Sequence, residues 1–289
     1  MRNKFVAIIA LLVICGNSMA QKSGVSAKPK LVVGVMVDQM RWEYLYRFQH
    51  RYGQNGLKRV LREGFSCENA QIPYAQTVTA AGHACVYTGS VPAINGIMGN
   101  EWYDRSLKRD VYCVADDAVK IVGGTGKGEP MSPKNLITTT ITDELELATN
   151  FRSKIIGVAI KDRGSILTAG HAADGAYWYD PSSGNFVSST WYMKEISPWA
   201  AAFNQRKMID SLYKLNWNLS HPIDTYTQSD VNNPLYTSNP FPRKLESNIG
   251  KNYGAISSTQ WGNTLTLEFS KAAVESGARG MDSINDFLA

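Results

Sequence analysis

The sequence predicts an α/β protein, a three-layer α/β/α sandwich around a mostly parallel central sheet with an inserted cap. Three observations predict it: apolar, β-branched runs at 31–37 (LVVGVMV) and 154–160 (KIIGVAI), helical stretches between them, and charge directly after each run. A strand buried on both faces of a parallel sheet reads as a continuous apolar run rather than an alternating one. The chain has 289 residues, enough for one large domain with a sizeable core.

The elements follow in order. MRNKFVAIIALLVICGNSMA, residues 1–20, has two early cations, an apolar run from Phe5 to Cys15, and small residues at Ser18 and Ala20. It reads as a secretory signal peptide, too short to span a bilayer comfortably, so the protein is expected to be periplasmic or secreted. Ile14 stands where a lipoprotein signal at Cys15 would want a small residue. Without Arg2 and Lys4, 28 of the 30 cations remain against 25 anions, so the net charge falls from +5 to +3. Such a mild, dispersed charge does not argue for nucleic acid, which needs a clustered basic face. Cys67, Cys85 and Cys113 remain, a count that allows one disulfide and one free thiol.

The first strand, Leu31 to Val37, ends at Asp38. YGQNGLKRVLREG (52–64) places Leu57, Val60 and Leu61 on one helical face, with Gly64 as the stop. Next comes AQTVTAAGHAC (75–85), where a loop turns into a small-residue helix. From Ser132, SPKNLITTTITDELELATN combines a Ser cap, Pro in the first turn and an apolar stripe, predicting a helix. The strand Lys154 to Ile160 leads into Lys161, Asp162 and Arg163. GAYWYDPSSGNFVSSTWY (175–192) reads as an aromatic hairpin opening a cap over about 175–260, with one good helix from about Pro198 to Leu215. GNTLTLEFSKAAVESG (262–277) reads as a short extended piece and a helix, and Asp286 to Ala289 as the opening of another buried strand in a domain expected to be incomplete.

Each candidate site residue has a structural alternative. Asp38, at the carboxyl end of a parallel strand, is placed for ligand binding or for capping the next helix. Thr79 opens a helix whose free N–H groups suit a phosphoryl oxygen; as a nucleophile it needs a base or a metal, and Thr77 or Thr79 as an N-cap is the commoner outcome. His83, one turn on, reads as a packing residue, as does His171. Asn100 is a turn residue or an amide donor. Lys161 and Arg163, on one side by alternation with Asp162 on the other, match a dianionic phosphoryl group or form a solvated loop.

The pieces VVGVMVDQMRWEYL, PYAQTVTAAGHACVYTGSVPAINGIMGNEWYD and AIKDRGSILTAGHAADGAYWYD, in that order and spacing, resemble the alkaline phosphatase superfamily. They are most similar to secreted bacterial alkaline phosphatases with a threonine nucleophile, relatives of the nucleotide pyrophosphatase/phosphodiesterases. The resemblance, from about residue 30 to the chain end, implies a zinc-dependent phosphate monoester hydrolase working through a phosphothreonine. It makes Asp38 and Thr79 ligands of one of two zinc ions, Thr79 the nucleophile, and Asn100, Lys161 and Arg163 contacts to the phosphoryl oxygens. The substrates implied are small phosphate esters; a phosphodiesterase or nucleotide pyrophosphatase is the alternative on the same scaffold. A sulfatase fits less well, because Cys85 in CVYTG lacks a Cys-x-Pro-x-Arg context. The family's remaining Asp and His ligands belong to motifs beyond the last residues here. The chain as given is therefore expected to bind zinc weakly and turn over little.

Overall fold

The computed structural model describes residues 28–125, 128–226, 241–277 and 279–289; the signal-peptide stretch lies outside them. Eight strands are seen among these residues, six of them in one sheet of order β1-β8-β5-β6-β7-β4. β1 (Leu31–Val33), β8 (Asp286–Leu288), β5 (Ile155–Ala159) and β6 (Gly175–Asp180) run parallel. β7 (Asn185–Ser189) and β4 (Ile121–Val122) complete the sheet antiparallel to their neighbours. The remaining pair, β2 (Glu101–Asp104) and β3 (Arg109–Tyr112), is a separate antiparallel hairpin.

Alternation along the central strands feeds two cores. Ile155, Ala176, Trp178 and Phe287 face one layer, beneath the Thr79–Thr88 and Asp162–Ala169 helices. Ile156, Tyr177, Tyr179, Phe186 and Leu288 face the other, packed by Phe203 of the Pro198–Gln205 helix and by Leu265, Phe269 and Ala273 of the Gln260–Ser276 helix. Phe186 and Phe269 stack at 3.9 Å between ring centroids. This is the three-layer α/β/α arrangement. Gly157 lets the Asp162–Ala169 helix sit tightly on β5, because a Cβ there would stand 2.8 Å from the Ala169 Cβ.

Several expectations are corrected. The hairpin expected over 175–192 to open a cap is part of the central sheet, as β6 and β7. Its aromatics are buried on both faces because helices cover both, and period-two alternation alone does not reveal that. Beyond it, the single helix expected over Pro198 to Leu215 is two helices, Pro198–Gln205 and Met208–Tyr213, broken at Lys207 in the left-handed region (φ 46). The helix expected from Ser132 begins only at Ile141. Ser132 instead donates to Asp116 Oδ2 at 2.6 Å, and Thr140 with Asp143 forms a capping box. The segment from Gly262 has no extended piece: Gln260–Ser276 is one continuous helix, with Leu265, Phe269 and Ala273 on its buried face outweighing its β-branched residues.

β1 stops at Val33, although the Gly34 N–H still bonds Leu288 O at 2.8 Å. It forms one margin of the sheet, and Val33, Val35 and Val37 are exposed there. Cys67, Cys85 and Cys113 are all free thiols, so the disulfide that their number allowed is not formed.

Candidate active site

The Thr79–Thr88 helix begins without a side-chain cap: extended Val78 occupies the N-cap position and Thr79 is the first helical residue. Its hydroxyl is therefore free of the capping role and donates to Asp38 Oδ2 at 2.9 Å. Asp38 does not follow β1 directly but sits in an exposed turn beyond it, where Gln39 takes a left-handed conformation (φ 59). Such a conformation in a residue other than glycine holds only when its surroundings enforce it.

One of the free helix amides is taken by Asn100: the Ala80 N–H donates to Asn100 Oδ1 at 3.0 Å. That bond fixes the amide's orientation, with Oδ1 towards the helix and Nδ2 left as a donor. The backbone of Asn100 is anchored in turn, its carbonyl accepting the Cys113 N–H at 2.9 Å at the end of the β2–β3 hairpin. This hairpin is not among the elements expected from the sequence, although EWYD and RDVY about a short polar turn form a hairpin signal.

His83 is buried, and its Nδ1 meets the Thr79 carbonyl, not the hydroxyl, at 2.7 Å. Since the carbonyl only accepts, Nδ1 carries the proton. Burial is the main influence on the ring and lowers its pKa. The ring is thus bonded to the backbone of Thr79, and no bond to the Thr79 hydroxyl is seen among the described residues. A Cβ at Gly164, on the neighbouring helix, would lie 3.7 Å from His83 Nε2.

Lys161 is the exposed N-cap residue of the Asp162–Ala169 helix, and Arg163 lies in its first turn. The strand alternation expected to set Asp162 opposite Arg163 has ended there. Both meet one hydroxyl: Tyr112 Oη donates to Asp162 Oδ1 at 2.7 Å and accepts from Arg163 Nη1 at 2.7 Å. Arg163 Nε is buried and has no partner among the described residues. A cavity of about 540 Å³ borders Tyr112, Lys161, Asp162 and Arg163 and is walled by Trp178 and Val187. The structure thus brings together Thr79, Asp38 and Asn100 on one side and Lys161 and Arg163 on the other. The helices that begin at Thr79 and Asp162 pack on each other, with His83 beside Gly164, and no direct bond links the two groups among the described residues.

Asp38 Oδ2 and Thr79 Oγ1 are hard oxygen donors 2.9 Å apart. Two ligands at adjacent corners of a tetrahedral zinc stand about 3.3 Å apart for zinc–oxygen distances of about 2.0 Å, so the pair suits one ion. Among the described residues no group of three or more His, Cys, Asp or Glu side chains could hold a metal.

A family model described as type I phosphodiesterase / nucleotide pyrophosphatase matches residues 32–273. The chain belongs to this family. Its place in the alkaline phosphatase superfamily is reinforced by alkaline phosphatase PhoV of Synechococcus elongatus, 48% identical over 100% of this chain and 56% of that protein. A Myroides odoratus protein named calcium-transporting ATPase is 52% identical over 91% of this chain and 50% of its own length. Wild-type alkaline phosphatase PafA has a solved structure that is 46% identical, with a TM-score of 0.86 over 90% of this chain and 52% of that one. A PafA variant substituted at a threonine, an asparagine, a lysine and an arginine matches with 44% identity and a TM-score of 0.82. This phosphodiesterase-family chain thus spans about half the length of the relatives it matches.

Proposed function

We propose that the chain is the Thr79-bearing portion of a secreted, zinc-dependent phosphate monoester hydrolase that works through a phosphothreonine. The observation that carries this reading is the Thr79 hydroxyl, uncapped at a helix N-terminus and bonded to Asp38 at 2.9 Å. Support comes from the names of PhoV and PafA, and from the PafA variant, whose four substituted residue types match Thr79, Asn100, Lys161 and Arg163 in order.

In this reading Thr79 Oγ1 releases its proton to solvent and attacks phosphorus in line, while Asp38 orients the hydroxyl. The bond to the esterified oxygen breaks on the opposite side, the departing oxygen takes up a proton from solvent, and the phosphoryl group stays on Thr79 until water removes it. Asn100 Nδ2, Lys161 and Arg163 offset charge on the non-bridging oxygens. Bound zinc supplies acidification of the hydroxyl and further charge stabilisation, with Asp38 and Thr79 as this chain's ligands to it. Two cations favour the monoester, which carries one more negative charge than a diester; the family description favours the phosphodiesterase as the second reading.

Because two ligands hold zinc weakly, the test reads a covalent mark rather than turnover. The chain with zinc and p-nitrophenyl phosphate, quenched in acid, is expected to carry +80 Da on Thr79 by mass spectrometry, an addition fixed by the mass of PO3H and absent in Thr79→Ala. A mark on another residue, or equal labelling of Thr79→Ala, refutes the assignment. Stronger marking by a p-nitrophenyl diester, whose transferred group keeps its second ester and is heavier by that group, selects the phosphodiesterase.

A further inference from the structure

We infer that Tyr112 is a positioning residue for Arg163, coupling the β2–β3 hairpin that carries Asn100 to the helix that carries the phosphoryl-binding cations. The inference rests on the proposed role of Arg163 and adds a residue that neither the motifs nor the family description assigns.

A phenol offers one donor and can accept as well, and Tyr112 uses both capacities. Its Oη–H goes to Asp162 Oδ1 at 2.7 Å, and its oxygen accepts from Arg163 Nη1 at 2.7 Å. The same Asp162 oxygen accepts the Arg163 backbone N–H at 2.6 Å, so backbone and guanidinium of one residue are tied to one carboxylate, directly and through the phenol. The guanidinium carbon lies 5.8 Å from the Tyr112 ring centroid, which restrains the plane as well as the tip.

Occupying Nη1 in this way leaves the Nη2 end of the fork as the donor for a phosphoryl oxygen, while Nε is buried and has no partner among the described residues. On the other side, Tyr112 pairs with Glu101 across the hairpin, one residue after Asn100. The Asn100 carbonyl accepts the N–H of Cys113, one residue after Tyr112. Asn100 and Arg163 are 63 positions apart by numbering, yet they are linked through Tyr112 and its neighbour. Burial, with Asp162 next in effect, pushes the Tyr112 hydroxyl far above its ordinary range. It therefore remains a donor throughout the alkaline range.

The test is a double-mutant cycle on the affinity of the purified chain for inorganic phosphate, using Tyr112→Phe, Arg163→Ala and the double variant. Arg163→Ala is expected to weaken phosphate binding about 10-fold or more, and Tyr112→Phe about 3- to 10-fold. The double variant is expected to bind no more weakly than Arg163→Ala alone. Multiplying effects, or an unchanged Tyr112→Phe, overturn the positioning role while leaving Arg163 in place. An unchanged Arg163→Ala overturns the phosphoryl-binding reading, and with it the ground of this inference. A second measurement separates positioning from fold loss: the Arg163 Nε–H resonance should be exchange-protected in the parent chain and averaged in Tyr112→Phe at equal thermal midpoint. A resonance unchanged by the substitution overturns the inference.

Discussion

Replacing Asp143 by asparagine keeps the side chain's shape and removes its charge, at a point where one buried carboxylate holds two segments together. Oδ1 accepts the N–H groups of His171 and Ala172 at 2.7 and 2.8 Å. Oδ2 accepts from the Thr140 N–H and hydroxyl, both at 2.9 Å, and meets His171 Nδ1 at 3.1 Å. Whichever way the new amide turns, its NH2 faces at least two donors, one of them a backbone N–H. Two lost bonds, with weakening of the rest from charge-assisted to neutral, predict a loss of about 3–4 kcal/mol. That is a large share of a typical stability of about 5–15 kcal/mol. Urea denaturation followed by circular dichroism is the assay, and at a slope of about 3 kcal/mol per M the midpoint should fall by about 1 M. The difference should also depend on pH. Burial opposes ionisation of Asp143, but its bonds from His171, Thr140 and Ala172 outweigh this and hold its pKa below the ordinary value. Its contribution is therefore lost only as the solution becomes strongly acidic. The Asp143 bond raises the pKa of His171 against burial, so that contribution is lost as pH rises through the raised folded value. The parent chain's advantage should be greatest between about pH 4 and 6.5, the unfolded values of the two groups. A midpoint shift under about 0.3 M throughout that window refutes the reasoning.

Three further outcomes are expected. Burial, with the nearby Asp174, Asp143 and Asp286 carboxylates, raises Glu146 to about 7; its ionisation therefore costs stability as pH rises above about 4.3, and Glu146→Gln should stabilise the chain by on the order of 1 kcal/mol at pH 8 and by little at pH 4, read as thermal midpoints at both. Gly170 sits at φ 80, and a Cβ there would come within 2.6 Å of the Asp143 carboxylate oxygens; Gly170→Ala should cost about 2 kcal/mol or more by urea titration, and a neutral result would contradict the packing. Of Cys67, Cys85 and Cys113, only Cys67 is exposed, and burial chiefly pushes the Cys113 thiol up to about 12; brief alkylation of the native chain should label Cys67 and spare the other two by peptide mapping.

What could be read from the residues depended on the range of the interactions involved. The continuous apolar runs marked β5 and the first three residues of the run at 31–37 as β1, Asp286 to Ala289 was legible as β8, and Gly64 marked the end of its helix at Glu63. Thr79 at a helix start was legible from small residues following a loop. Residues 175–189 were misplaced because a strand's sequence does not say how many of its faces are covered; helices from distant segments, including Gln260–Ser276, decide that. The late start of the Ile141 helix was legible in principle as the capping box from Thr140 to Asp143, but Ser132 and Pro133 offered an earlier start of the same kind. The anchoring of Arg163 was not legible at all. Tyr112 stands 51 positions earlier, on a hairpin whose place beside the helix is fixed only by the assembled sheet.

The exposed margin of β1 bears on how the chain behaves in solution. Among the described residues no strand pairs with its outward side, and Val35 and Val37, at 76% and 58% exposure, supply apolar side chains beyond it. Lys28, Pro29 and Lys30, exposed directly ahead of β1, are residues of the kind by which proteins discourage edge-to-edge pairing, but nothing of that kind stands among residues 31–37. Storage at high concentration should therefore convert the chain to oligomers through this edge. A lysine at Val35, pointing a charge into the approach path, is the conservative way to keep it dispersed.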